Sequence, residues 1–227
     1  MKMMIVTDAW KQTYPGAAVG LLAMRDAANP EGHAALDERK AMLEAELRTR
    51  FAGYDRVTLR ELPVLQAYHA YYKRFEKTYH VQLQLESVVF KGKSIPRVAA
   101  LVECMFMAEL KNQLLTAGHD TDQVDLPVRL DVADGSQRYT MYNGQDQALK
   151  PGDMFIADRQ GVISSVIYGP DQRTRIRLET RRALFTVYAP PGIGETAVWE
   201  HLRDMEANVR LVASEAKVEA MEVITAG

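Results

Sequence analysis

Ser164 and Ser165 stand together in the run Val162-Ile163-Ser164-Ser165-Val166-Ile167-Tyr168, which Gly169-Pro170 closes. A hydroxyl pair in such a run can hold a polar substrate or act as a nucleophile. Nucleophilic chemistry needs a base to take the proton, and no His-Asp partner is identifiable by spacing. His119-Asp120 has the right residue types, but it follows Gly118 at an expected helix end. An imidazole there commonly answers the helix dipole instead of reacting. Downstream, Arg173, Arg175 and Arg177 recur at every second position, a strand period with one charged face, and Arg181 and Arg182 continue the basic run. From Asp171 to Arg182 five arginines meet two carboxylates, a local net charge of +3. Such a patch is either a solvated strand face or a holder of RNA phosphates.

The rest of the chain narrows the chemistry mostly by exclusion. It contains no phosphate loop, no GxGxxG, HExxH or GxSxG motif, and no Cys-x-x-Cys pair. Its five histidines, His33, His69, His80, His119 and His201, are scattered without metal-ligand spacing. A lone Cys104 excludes an internal disulfide and fits a reducing compartment. The expectation is a protein without metal or cofactor. No apolar run approaches the roughly 20 residues of a membrane span, and Asp8 comes too early for a secretory signal. A cytoplasmic protein without a membrane partner is expected. The net charge of −2 argues against a general polyanion binder and leaves the arginine run as a local feature.

Elements able to position these residues follow from periodicity. Met154–Ala157, Val162–Tyr168 and Ala183–Ala189 read as strands bounded by Gly, Asp and Pro, together a small sheet over 152–193. Upstream, Leu126–Val132 and Arg138–Tyr142 read as a hairpin turning at Asp134-Gly135, with a further turn at Asn143-Gly144. The spacing predicts a buried helix over 97–115, ended by a left-handed Gly118, and places Cys104 in the core. Residues 65–79 read as a helix in which Tyr68, Tyr71, Tyr72, Phe75 and Tyr79 form a core-facing stripe. Nearer the N-terminus, strands are expected at 3–6, 17–24 and 57–59, and an amphipathic helix at 34–51 capped by Asn29 with Pro30 in its first turn. A surface helix over 195–213 and an edge strand over 217–225 complete the chain. One domain spanning 1–227 is the simplest account.

Laid out in order, the motifs from about Leu65 to Ile193 resemble the B3/B4 domain of the phenylalanyl-tRNA synthetase beta subunit and its free-standing relatives. The resemblance rests on Ser94-Ile95-Pro96 before the long helix, Asp120-x-Asp122-Gln123-Val124 after it, and Pro127-Val128-Arg129-Leu130. It continues through Asn143-Gly144, Leu149-x-Pro151-Gly152-Asp153, Ala157-Asp158, Gly161-Val162-Ile163 and Tyr168-Gly169, then Arg173-Thr174, Ile176, Glu179-Thr180 and Ala183-Leu184-Phe185. It implies an α+β fold of the B3/B4 type, with mixed sheets in an unusual sandwich packed with helices and a pocket between sheet and helix. On this division 65–193 is the B3/B4-like core, 1–64 an N-terminal extension and 194–227 a C-terminal helix and tail. In the synthetase that pocket hydrolyses tyrosine wrongly attached to tRNA, by attack of water and without a metal.

The resemblance also shows where this chain departs. The synthetase's helix asparagine falls at Phe106, its pocket histidine at Ala117, its tyrosine-reading glutamate at Thr186, and a Gly-Gly pair at Ser164-Ser165. Losing a carboxylate built to read a hydroxyl removes most discrimination for tyrosine. What the resemblance then implies is a pocket for another ligand, lined by Ser164, Ser165, Tyr168, Thr180 and Thr186, with His119 and Asp120 at its mouth. Arg173, Arg175, Arg177, Arg181 and Arg182 would contact RNA phosphates. Two functions stay open: deacylation of a mischarged aminoacyl-tRNA in trans, and non-catalytic binding of tRNA or a small amino acid-like ligand. No DNA partner is expected, and no catalytic residue is assigned.

Overall fold

The computed structural model describes residues 2–227. The first elements are β1 (Met4–Val6), α1 (Asp8–Thr13), β2 (Ala18–Arg25), α2 (Ala34–Arg50), α3 (Arg56–Arg60), α4 (Pro63–Lys73) and α5 (His80–Lys91). The middle of the chain supplies α6 (Ala100–Asn112), β3 (Leu115–Asp120), β4 (Val128–Val132), β5 (Arg138–Thr140) and β6 (Asp146–Ala148). After these come β7 (Met154–Asp158), β8 (Gly161–Ser165), β9 (Gly169–Pro170), β10 (Ala183–Ala189), α7 (Glu195–Val212) and β11 (Lys217–Thr225). The fold is α+β.

Two sheets carry it. One has the order β1-β4-β7-β8-β9, with β1 parallel to β4 and the remaining pairs antiparallel. The other is antiparallel in the order β11-β2-β10-β3. Strands β2 and β10 are continuous apolar runs buried along nearly their whole length, the pattern of strands covered on both faces. Helix α7 lies so close to β2 that a Cβ at Gly20 would stand 2.6 Å from Val198 Cγ1, so glycine there is a packing requirement.

The aromatic stripe of residues 68–79 is core, and its hydroxyls tie the two sheets together. Tyr68 donates to the Tyr188 carbonyl of β10 at 2.5 Å and accepts the Leu115 amide of β3 at 2.8 Å. On the other sheet, Tyr71 donates to Asp153 Oδ1 at 2.6 Å and Tyr72 to the Val166 carbonyl at 2.8 Å. Tyr79 stacks on Tyr68 with ring centroids 4.0 Å apart. Each bond contributes about 1 kcal/mol net, and leaving either partner buried without one costs more than that.

Several elements differ from the sequence reading, each for a local reason. Residues 115–120 are a strand, not a helix end: Gln113, at φ 57°, terminates α6, and β3 then pairs with β10. Asn29 does not cap α2. Its Oδ1 accepts the Leu101 amide at 2.8 Å while Pro30 accepts Ala100, so this segment caps α6. Residues 57–59 belong to α3, whose first turn is capped by the Asp55 carboxylate. Helix α4 stops at Lys73, and α5 was not anticipated from sequence. Strand β4 pairs with β1 and β7, leaving β5 to form its hairpin with β6 across Asn143-Gly144. The run 152–193 is not one sheet, because β7 and β8 belong to the first sheet and β10 to the second. Finally, Arg173, Arg175 and Arg177 lie on a looped segment that touches β3 through one bridge, His119 to Arg175.

Candidate functional site

A cavity of about 600 Å³ opens between α6 and the β3 end of the second sheet. Val102, Met105, Phe106 and Glu109 recur on α6 at helical spacing and form one wall. Leu115 to Gly118 of β3 form another, and the 165–170 loop with Ile176 closes the space. The backbone at Gly118 permits this shape, since a Cβ there would meet Ile176 Cδ1 at 2.8 Å and Met105 Sδ at 3.4 Å. Tyr142 and Arg175 stand at the rim and are exposed.

One ionisable group lies deep in this apolar space. Glu109 is 2% exposed, and its Oε1 accepts the Thr116 amide at 2.8 Å. Burial pushes its carboxyl up to about 8, against a smaller lowering by that amide. Glu109 is therefore largely the neutral acid at pH 7. His80, also on the wall, has its pKa lowered by burial.

The residues expected at the site separate into two groups. Ser165 and Tyr168 line the cavity. Ser165 Oγ accepts the Tyr168 amide at 3.1 Å, and Lys77 Nζ lies 5.8 Å from the Tyr168 ring centroid. Ser164 lies one layer deeper, fully buried and 2.5 Å from the Tyr188 hydroxyl, and Tyr188 itself reaches the cavity. Thr186, also fully buried, points its hydroxyl at the Ala117 carbonyl at 3.5 Å. No imidazole bonds either serine among the described residues, so the arrangement has no Ser-His nucleophile.

His119, Asp120 and Thr180 do structural work beside the cavity instead of lining its mouth. Thr174 gives its hydroxyl proton to Asp171, so it accepts from His119 Nδ1 at 2.7 Å. This leaves His119 Nε2 buried without a partner, and burial pushes the imidazole pKa down to about 3. Thr180 donates to Asp120 Oδ2 at 2.8 Å and accepts the Arg177 amide at 2.9 Å. Together these bonds pin the 171–182 loop onto β3.

That loop forms a second concavity, about 480 Å³, lined by Arg138, Arg173, Arg175 and Arg177 with Thr140 and Gln172. Its arginines are not equivalent. Arg173 grips both oxygens of buried Asp158, at 2.9 and 2.8 Å. Arg182 pairs with Asp122 and Glu219, and Arg181 donates to the Leu178 and Thr180 carbonyls. Arg175 and Arg177 are exposed, and among the described residues no carboxylate pairs with them; the same holds for Arg138. Arg175 lines both concavities.

Sequence reasoning missed Glu109, His80, Tyr142 and Arg138. Glu109 was detectable in principle, because a carboxylate three and four residues from Phe106 and Met105 interrupts an otherwise apolar helix face. Arg138 sits in a hairpin strand whose place beside the 171–177 loop is set by tertiary packing.

Fold and site thus define an α+β protein with an apolar, carboxyl-bearing cavity that meets an arginine-lined groove. No family model and no curated protein matches the chain. Among solved structures, it is similar to an N-terminal fragment of the phenylalanyl-tRNA synthetase beta-subunit from Pyrococcus horikoshii, at 9% identity and a TM-score of 0.47. The match covers 97% of this chain and 50% of that one, so the chain spans half the fragment's length. At that level the likeness assigns neither chemistry nor partner. No helix among the described residues is long and apolar enough to cross a membrane.

Proposed function

We propose that this chain binds the aminoacylated end of an RNA, holding the amino acid in the α6–β3 cavity and the adjoining phosphates in the arginine groove. The observation that carries this reading is the position of Arg175 on both concavities, which makes them one path for a ligand with an apolar head and an anionic tail. The motif order resembling the B3/B4 domain supports it from a separate direction. Phe106, Ala117 and Ser165, which align with that family's pocket positions, line this cavity. A volume of about 600 Å³ lies within the range usual for small-molecule sites and exceeds what a single amino acid side chain fills.

A second reading, hydrolysis of the aminoacyl ester, is favoured by one observation. The Glu109 carboxyl exchanges its proton near neutral pH inside the cavity, where a catalytic acid or base operates best. A panel of tRNAs charged with different amino acids separates the two readings. Tighter retention of some charged tRNA than of uncharged tRNA supports binding, and release of free amino acid at a rate proportional to protein adds catalysis. Equal retention of charged and uncharged tRNA, with no release, contradicts both.

A further inference from the structure

The α6–β3 cavity contains a carboxyl that no cation among the described residues pairs with. Burial raises the Glu109 carboxyl against a smaller lowering by the Thr116 amide, and that amide occupies Oε1. No donor reaches Oε2 among the described residues, yet Oε2 is not among the buried polar atoms left without a partner. It therefore opens into the space that the rest of Glu109 lines. An unpaired carboxylate in apolar surroundings is costly unless a cation or hydrogen bonds compensate it. The lining is mostly apolar or aromatic around Met105, Phe106 and Ile176. Its other polar side chains (His80, with its pKa lowered by burial, Gln84, Thr116 and Ser165) carry no charge at pH 7, and the opposite charge, Arg175, stands at the rim. A ligand complementary to this layout carries a cation at its deep end, an apolar side chain between, and an anion outside.

We propose that Glu109 binds the free α-ammonium group of an amino acid-derived ligand, so that the cavity selects primary amines over their N-acylated counterparts. This deepens the binding reading and rests on it. Glu109 is a positioning residue here, and no covalent step is involved. At neutral pH the carboxyl holds a proton, which passes to the buffer as the ammonium–carboxylate pair forms.

The test uses phenylalaninamide and leucinamide, each with and without an N-acetyl group, titrated calorimetrically into the intact protein at pH 7 in buffers of differing ionisation enthalpy. Neither probe carries phosphate, so the arginine groove does not contribute. We expect N-acetylation to weaken binding ~30-fold or more, the scale for removing one partner of a buried charge pair. Net release of a fraction of a proton per free amine bound is expected, because part of the amine is unprotonated at pH 7 and takes up some of what the carboxyl gives up. E109Q keeps an acceptor for the Thr116 amide, and it should bind free and acetylated amides alike with no proton release. Equal affinity of free and acetylated amides for the wild type, or no binding by any of the four, overturns the assignment. Should E109Q fail to fold, the wild-type comparison decides alone. The RNA reading fails separately, if charged RNA binds no differently when Arg175 and Arg177 are replaced.

Discussion

Glu109 on α6 accepts the backbone amide of Thr116 on β3 at 2.8 Å, and this bond joins the two walls of the cavity at its deep end. The folded carboxyl titrates near 8, while an unfolded glutamate titrates near 4.5. Between those values the folded state holds the extra proton, so the stability that Glu109 contributes falls as pH rises from about 4.5 to 8 and levels off above, against the opposite slope that buried His119 and His201 give below about 6.5. E109Q should flatten this decline and be more stable than the wild type at pH 8, measured as urea midpoints across the pH range. A decline of equal slope in E109Q would show that other groups cause it.

Tyr71 sets the next expectation. Its hydroxyl donates to Asp153 Oδ1 and accepts the Met154 amide, both buried. Y71F strips both partners of a bond at the junction of α4 and β7, and should lower unfolding free energy by about 1–3 kcal/mol. Chemical denaturation measures it, and a loss below 0.5 kcal/mol (about the usual surface effect) contradicts the assigned role.

Within the groove, the arginines should behave differently from one another. R175A and R177A together should weaken RNA binding and reduce the slope of log affinity against log salt by about one to two counterions. R173A removes the Nη2 that bonds both oxygens of the buried Asp158 carboxylate, so it should mainly destabilise, by about 1–3 kcal/mol given that Arg173 is partly exposed. Thermal midpoints and salt-dependent binding isotherms on both variants check this division. Identical behaviour of the two would refute it.

Gly118 offers a steric test of the cavity itself. A methyl group there meets Ile176 Cδ1 at 2.8 Å, and Ile176 lines the same space, so its side chain must shift and the cavity wall with it. G118A should reduce affinity for amino acid amides at least tenfold while shifting stability by no more than about 1–3 kcal/mol, the usual cost of overpacking. Unchanged affinity would place the ligand elsewhere.

Local pattern made some of this legible and tertiary context hid the rest. Strands at 154–157 and 183–189, the tyrosine stripe and the final helix and edge strand follow from apolar spacing alone. The sheet each strand joins does not, and β7 and β10 were read as parts of one small sheet although they lie in different sheets. Leu115–Asp120 was misread because its Gly118 looked like a helix cap, whereas Gln113, ahead of it in the chain, takes the left-handed conformation. Asn29 was recognised as a cap but matched to the wrong helix, since its true partner, Leu101, is 72 residues away. At the site, residue type pointed to His119 and Ser164. Both are buried and bonded within the fold, and Glu109 was passed over as one of the few charged residues in a helix taken as core.

The central claim is that one ligand spans the α6–β3 cavity and the arginine groove. It is tested most directly by comparing the affinity of a short CCA-ended RNA carrying amide-linked phenylalanine or leucine with that of the same RNA uncharged. The account predicts that a charged RNA binds roughly tenfold tighter or more, about 1.4 kcal/mol, and that G118A erases the difference. Equal affinity of charged and uncharged RNA for the wild type would contradict it.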